Sequence, residues 1–180
     1  MRHEHERSAN RWRSCILGAI GGLAGVAAMN IFLKKTANRS GPAPVVSDER
    51  SVSLIGPHHR EGESATAAVG RLAYHYATGH DPESEEMKSA LGEMAHWIHG
   101  MDMGALYGLS QDIGPLKGLS GGLAFGAGLW LAADEMAAPL LGLAEGPTAY
   151  PPGAHARALG AHLVYGLTLA AAYKALDRMV

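Results

Sequence analysis

The feature that most constrains this chain is an uncharged apolar run of 19 residues, Cys15–Leu33, which ends at Lys34-Lys35. At a rise of about 1.5 Å per residue, the run forms a helix of roughly 28 Å, close to the hydrocarbon thickness of a bilayer. Arginines precede it, as in a secretory signal peptide, but the run is longer than a usual signal core and is not followed by a clean cleavage site. We therefore expect a retained first membrane helix.

Further apolar segments predict further membrane helices. Charged residues cluster between positions 35 and 92, whereas Gly118–Pro139 and Ala158–Leu176 carry almost none. The pattern predicts four spans, within helices at 15–34, 82–110, 117–138 and 154–177, of which the second is the most polar. The predicted fold class is all-α, a four-span transmembrane helix bundle with an additional amphipathic helix in the first long loop.

The chain divides by composition into four parts. These are a polar N-terminal tail at 1–14, the first membrane helix at 15–34, a Pro-, Gly- and Ser-rich linker at 35–63, and a remainder at 64–180 that holds the amphipathic helix and three further membrane helices. The amphipathic helix is predicted at 64–78, with an apolar face that lies on the bundle or in the lipid interface and consists of Val69, Leu72, Ala73 and Tyr76. Asp81 is predicted to cap the next helix, with Pro82 in its first turn.

Glycines recur at three- and four-residue spacing in the apolar segments. Missing side chains on one helical face let a neighbouring helix approach closely, which is how membrane helices gain packing energy. The alternative is that glycine is simply common in membrane spans. The predicted packing residues are Gly18, Gly22, Gly25, Gly118, Gly122, Gly126 and Gly166.

A few ionisable side chains lie inside the predicted spans, where each costs about 2.5–3.5 kcal/mol on insertion scales and so needs a reason. They are His96, His99, Asp102, Asp134, Glu135 and His162.

Several interpretations of these side chains stay open. The two histidines at 96 and 99 share a helical face and can bind a metal ion or a haem iron, hydrogen-bond to another helix, or face water at the membrane surface. Asp134 and Glu135 are either solvated at a helix end, or one of them turns toward His162 to share a proton.

Several short motifs lie in the second membrane helix and after it, namely Gly104–Gly108, Phe125–Trp130, Asp134-Glu135, Pro139–Leu143 and His162–Gly166. Together they resemble the YagU-type family of uncharacterised bacterial inner-membrane proteins. The resemblance implies a multi-span protein of the bacterial inner membrane. It supplies no catalytic residue.

Function is constrained mainly by what the sequence lacks. It has no phosphate-cradling loop, no Gly-x-Ser-x-Gly elbow, no Cys-x-x-Cys pair and no zinc-protease helix. The net charge of −2 provides no basic field for nucleic acid, and the lone Cys15 excludes an internal disulfide.

We therefore expect a structural or interaction protein without catalytic activity, cofactor or bound metal. Its expected partners are the lipid bilayer and either further copies of itself or a larger membrane complex, with no nucleic acid. Four spans place both termini on one side, and the basic residues favour the cytoplasm. The alternatives are a histidine-based metal- or haem-binding module and a proton- or ion-conducting protein.

Overall fold

The computed structural model describes residues 2–37, 52–112 and 116–179, and all regular structure in these ranges is helical. The all-α prediction is therefore confirmed for the described residues. The helices are α1 (Arg2–Lys35), α2 (Ala65–Thr78), α3 (Glu85–Leu109), α4 (Gly118–Leu129), a π-helix (Trp130–Ala137), α5 (Ala138–Leu140) and α6 (Pro152–Asp177), with 3₁₀ turns at Ser110–Asp112 and Pro147–Ala149. Residues 38–51 of the predicted linker lie outside the described residues.

The chain forms two compact units. Unit 1 comprises Met1–Lys35, Ile98–Gly128 and Leu159–Val180, and unit 2 comprises Thr36–Trp97 and Leu129–Ala158. Two long helices contribute to both units. Helix α3 passes from unit 2 to unit 1 after Trp97, and α6 does so after Ala158.

The first helix is longer than predicted. It begins at Arg2, so it takes in polar residues of the segment predicted as a tail at 1–14. No glycine or proline occurs before Gly18, and adding residues to an existing helix costs far less than nucleating one. Arg13 anchors this end of unit 1 through a 2.8 Å ion pair with Asp177.

Among the described residues, one helix is long and apolar enough to cross a membrane, namely Asn10–Lys35 of α1. The four predicted spans and the multi-pass location go beyond this finding and stay predictions.

Within unit 1, α1 and α3 are in backbone contact. A Cβ atom on Gly18 would overlap the Gly104 carbonyl oxygen and lie 2.9 Å from the Gly108 Cα. A Cβ on Gly22 would overlap the Gly100 carbonyl oxygen and lie 3.0 Å from the Gly104 Cα. The two glycine series run in opposite directions, so the helices are antiparallel. The sequence predicted the packing glycines of α1 but not those of α3, which form the other half of this interface.

Helix α4 meets α6 in the same way. A Cβ on Gly122 would overlap the Gly166 carbonyl oxygen, and one on Gly126 would overlap that of His162. Gly118 differs from its predicted packing role, because a Cβ there meets nothing within 4 Å. Its φ of +68° at the start of α4 is instead the reason for a glycine at this position.

In unit 2, α2 follows the sequence prediction closely. The Ser64 hydroxyl caps its first turn and Gly79, with φ of 79°, ends it. The predicted apolar face does not pack on other helices, since Tyr76 is 87% exposed, and its position in the lipid interface stays a prediction. The face around Gly70 packs instead, because a Cβ there would lie 2.5 Å from the Leu91 carbonyl carbon of α3.

The start of α3 corrects the predicted cap. The helix begins at Glu85, and the Ser84 hydroxyl accepts a hydrogen bond from the Met87 amide. Asp81 is unavailable as a cap because its carboxylate binds Arg60 at 2.5 Å and His75 at 3.2 Å.

The third predicted helix is not uniformly α-helical. After Leu129 the backbone widens into a π-helix, closed by a bond from the Ala138 amide to the Ala133 carbonyl, and helical structure continues to Leu140. A proline ring crowds the carbonyl four residues earlier in an α-helix. The wide turn immediately before Pro139 relieves this crowding, so helical structure continues past residue 138, where the sequence predicted its end.

Candidate functional site

Unit 2 holds a group of polar side chains around the loop that follows α5. The linker segment from Ser53 to His59 lies against this loop, and the Gly142 carbonyl accepts hydrogen bonds from the His58 amide at 2.7 Å and the His59 amide at 2.9 Å. A Cβ on Gly142 would overlap the Gly56 carbonyl oxygen, and φ is +67°. Only glycine fits at this position. The close approach of the linker that it allows places His59 beside the other polar side chains.

His59 forms a buried pair with Glu145. The His59 Nδ1 atom donates to the Gly142 carbonyl at 3.0 Å, and Nε2 lies 3.5 Å from Glu145 Oε1. Glu145 is 1% exposed. The ring is therefore held between a backbone carbonyl on one side and the Glu145 carboxyl group on the other.

A second pair joins His155 and Glu135. The His155 Nδ1 atom lies 2.6 Å from Glu135 Oε1, and Nε2 donates to the Pro147 carbonyl at 3.0 Å. The hydrogen bond to Glu135 raises the pKa of His155, against a smaller opposing effect of burial. Both ring nitrogens face acceptors, so the imidazolium form is favoured.

Tyr150 stands close to both pairs. Its ring packs edge-to-face on His155, with centroids 6.1 Å apart, and its hydroxyl is hydrogen-bonded to the Glu145 backbone. Burial raises the pKa of Tyr150, and the negative charges of Glu145 and Glu135 raise it further. The phenol therefore stays neutral and is a hydrogen-bonding group in this cluster rather than a charged one. We call His59, Glu135, Glu145, Tyr150 and His155 the polar cluster.

A buried arginine holds the linker segment in place. Arg71 of α2 binds Glu63 through two hydrogen bonds of 2.8 and 2.9 Å, and donates to the His58 carbonyl at 2.5 Å. Burial acts to raise the pKa of Glu63, but hydrogen bonds from Arg71 and the Arg60 amide outweigh it and hold the pKa below its usual value. The planar guanidinium thus fixes the backbone next to His59.

The chemistry available to the polar cluster is proton binding and electrostatic stabilisation. Among the residues that the structure describes, no group of three or more His, Cys, Asp or Glu side chains is placed to hold a metal ion. Each of its two carboxyl groups lies within ion-pair distance of one imidazole, which supplies the partner that a buried carboxylate needs.

The six ionisable residues predicted for an intramembrane site divide between the two units. His96, Asp134 and Glu135 belong to unit 2, and His99, Asp102 and His162 belong to unit 1. In unit 1, His162 is buried, whereas His99 and Asp102 are exposed. In unit 2, Asp134 is exposed and Glu135 is half-buried against His155. A single site formed by all six stays a prediction.

Three tyrosines of unit 1 have roles that the sequence analysis missed. The Tyr165 hydroxyl donates to the Gly100 carbonyl at 2.6 Å, and the Tyr107 hydroxyl donates to the Gly118 carbonyl at 3.2 Å. Tyr173 contacts the Tyr107 ring edge-to-face and reaches the Ser14 hydroxyl at 3.2 Å. The Tyr-Gly pairs at 107–108 and 165–166 were the signal, because a large ring beside a glycine suits close helix packing.

Comparisons with known proteins add no relative. The chain matches no protein-family model, and searches of curated proteins and of solved structures likewise give no match. The resemblance to the YagU-type family therefore stays a prediction.

Proposed function

We propose that the chain is an integral membrane protein of structural or interaction type, with unit 1 embedded in lipid and no catalytic activity of its own. In this proposal the membrane-embedded parts of α3, α4 and α6 are those that belong to unit 1, and the polar cluster of unit 2 lies outside the hydrocarbon.

The observation that carries the proposal is the outward face of α1. Its exposed residues follow one another at three- and four-residue steps, which defines a single stripe along the helix. All are apolar, and the large ones are well exposed, with Ile16 at 57% and Ile20 at 46%. The stripe consists of Ile16, Ile20, Leu23, Ala27 and Ile31. A contiguous apolar stripe of this length is unfavourable in water, and lipid is the solvent that suits it.

The inward face of α1 supports the same conclusion. It holds four glycines beside the buried Leu17, Val26 and Met29, and several of these glycines contact the backbones of neighbouring helices. Four large aliphatic residues of the same helix are nevertheless exposed on its outward face. Proteins in water place large aliphatic residues inside, because burying them supplies most of the folding energy. In lipid, burial of aliphatic side chains no longer drives helices together, and close backbone packing through small residues stabilises their association instead.

Membrane fractionation tests the proposal. The full chain, expressed in bacteria, is expected in the membrane pellet and is expected to stay there through an alkaline carbonate wash, because embedded helices are not released by disrupting ionic contacts. A peripheral membrane protein and a soluble protein serve as controls in the same preparation. Release of the chain by the wash, or a monodisperse chain in the detergent-free supernatant, would show that unit 1 is not embedded in lipid.

The interaction part of the proposal has its own measurement. Extraction in a mild detergent is expected to give a complex heavier than one chain, seen by native mass spectrometry. A single chain in every mild detergent would contradict an interaction role and leave only membrane insertion.

A further inference from the structure

One charged residue of unit 1 lies at the depth of the middle of the α1 apolar run. Gly100 and Gly104 of α3 both contact Gly22 of α1, and Asp102 lies between them along α3. Gly22 is close to the centre of Cys15–Leu33. Where unit 1 is embedded in lipid, Asp102 is therefore near the middle of the hydrocarbon.

Asp102 is also on the outside of unit 1. It is exposed, and it lies in line with Ile98, Leu106 and Leu109 on one exposed face of α3. Among the side chains that the structure describes, those of residues 10–37, 52–111 and 116–179, the Asp102 carboxylate has no ion-pair partner. We call Ile98, His99, Asp102, Leu106 and Leu109 the α3 face.

The α3 face differs from the other exposed helix faces of unit 1. The exposed residues of α1 between Cys15 and Leu33 are apolar, those of α4 up to Gly128 are uncharged, and those of α6 between Leu159 and Tyr173 are apolar. Lipid suits these three faces. A carboxylate facing lipid at mid-depth costs about 2.5–3.5 kcal/mol on insertion scales, so the α3 face needs a different covering.

We propose that a second copy of this chain covers the α3 face, and that His99 of each copy binds Asp102 of the other. The inference rests on the proposed membrane function, since only lipid makes the exposed carboxylate costly. Charge complementarity identifies the occupant: His99 is exposed and lies three residues before Asp102, on the same side of α3. Two copies inserted in the same direction and related by a two-fold axis along the membrane normal bring the same face together, so both pairs form at once.

Disulfide cross-linking in membranes tests the proposal directly. In a Cys15→Ser background, Leu106→Cys introduces one thiol on the α3 face, and Ile20→Cys introduces one on the outward face of α1. Oxidation with a membrane-permeable copper complex is expected to give a product of twice the chain mass for Leu106→Cys and almost none for Ile20→Cys. Equal cross-linking of the two variants would overturn the proposal, as would a Leu106→Cys product of any other mass.

A charge exchange tests the pairing itself. In the Leu106→Cys background, Asp102→Leu is expected to lower the dimer yield about tenfold, the scale of an interhelical polar contact in lipid. The exchange of both residues, His99→Asp with Asp102→His, is expected to restore it. Failure of the exchange to restore cross-linking, with the protein still in the membrane, would overturn the reciprocal pair.

The carbonate wash distinguishes a failure of the pairing between copies from a failure of the proposed membrane function. Each variant is checked in the washed pellet before oxidation. A chain that stays in the pellet but does not cross-link through the α3 face contradicts the pairing alone, whereas a chain released from the pellet contradicts the membrane function as well.

Discussion

At the scale of single residues, His155 shows how a local arrangement fixes a charge. Its two ring nitrogens face the Glu135 carboxylate and the Pro147 carbonyl, and the pKa of the imidazole is raised mainly by the hydrogen bond to Glu135. A group whose pKa is raised on folding stabilises the folded state below its unfolded pKa, and this contribution is lost as the pH rises through the folded value. His155 therefore makes unit 2 more stable in mild acid than in alkali.

The raised pKa of His155 predicts a pH-dependent stability that one substitution removes. Unfolding of the detergent-solubilised protein by heat, followed by circular dichroism, is expected to need a lower temperature at about pH 9 than at about pH 6.5. His155→Gln is expected to lower the stability at the acidic end by about 1.5–3 kcal/mol, the scale of a hydrogen bond to a charged group, and to flatten the pH dependence. Equal pH dependence in the wild-type protein and the variant would contradict the assignment.

At the scale of helices, the contact between α1 and α3 rests on missing side chains. Gly104 shows this most clearly, because a Cβ there would overlap the Gly18 carbonyl oxygen and lie 2.6 Å from the Gly22 Cα. Neither neighbour is a flexible side chain, so the helices must separate to admit even one methyl group.

A pair of alanine substitutions follows from this geometry. Gly104→Ala is expected to destabilise unit 1 by about 1–3 kcal/mol through overpacking. Gly128→Ala is the matched control, since a Cβ there meets nothing within 4 Å, and it is expected to be neutral or slightly stabilising because alanine favours helix. Unfolding in mixed micelles of increasing sodium dodecyl sulfate gives both values. Similar losses for the two variants would show that the α1–α3 contact is looser than described.

At the scale of the whole molecule, the proposed membrane function requires that equally exposed positions meet different solvents. Ile20 of α1 and Tyr76 of α2 are both exposed, the second at 87%. Maleimides react with the thiolate form of cysteine. Lipid disfavours this charged form, whereas water stabilises it.

Cysteine labelling therefore distinguishes the two units. In the Cys15→Ser background, Tyr76→Cys is expected to react rapidly with a charged maleimide in permeabilised membranes, and Ile20→Cys is expected to react at least about ten times more slowly. Labelling after denaturation is the control for total thiol. Comparable rates in the native membrane would place Ile20 in water and remove the support for an embedded unit 1.

Local sequence determined where most helices begin and end. Ser64 and Gly79 bound α2 as predicted, because a hydroxyl cap and a left-handed glycine act within a single turn. The uncharged run after Cys15 likewise predicted the candidate membrane helix. The predicted cap of α3 failed for a different reason: Asp81 does not cap the helix because Arg60 and His75 bind its carboxylate.

The pairing of side chains was decided only by the tertiary structure. His59 and Glu145 lie 86 positions apart in the sequence, in a linker and a loop with no periodicity, and they meet because the Gly142 carbonyl binds the linker backbone. The glycines on α1 predicted close packing, but the choice of α3 and of Tyr165 on α6 as neighbours depends on shapes that no single helix contains. Sequence patterns set local geometry through short-range contacts, whereas partners across the fold depend on how all the helices pack at once.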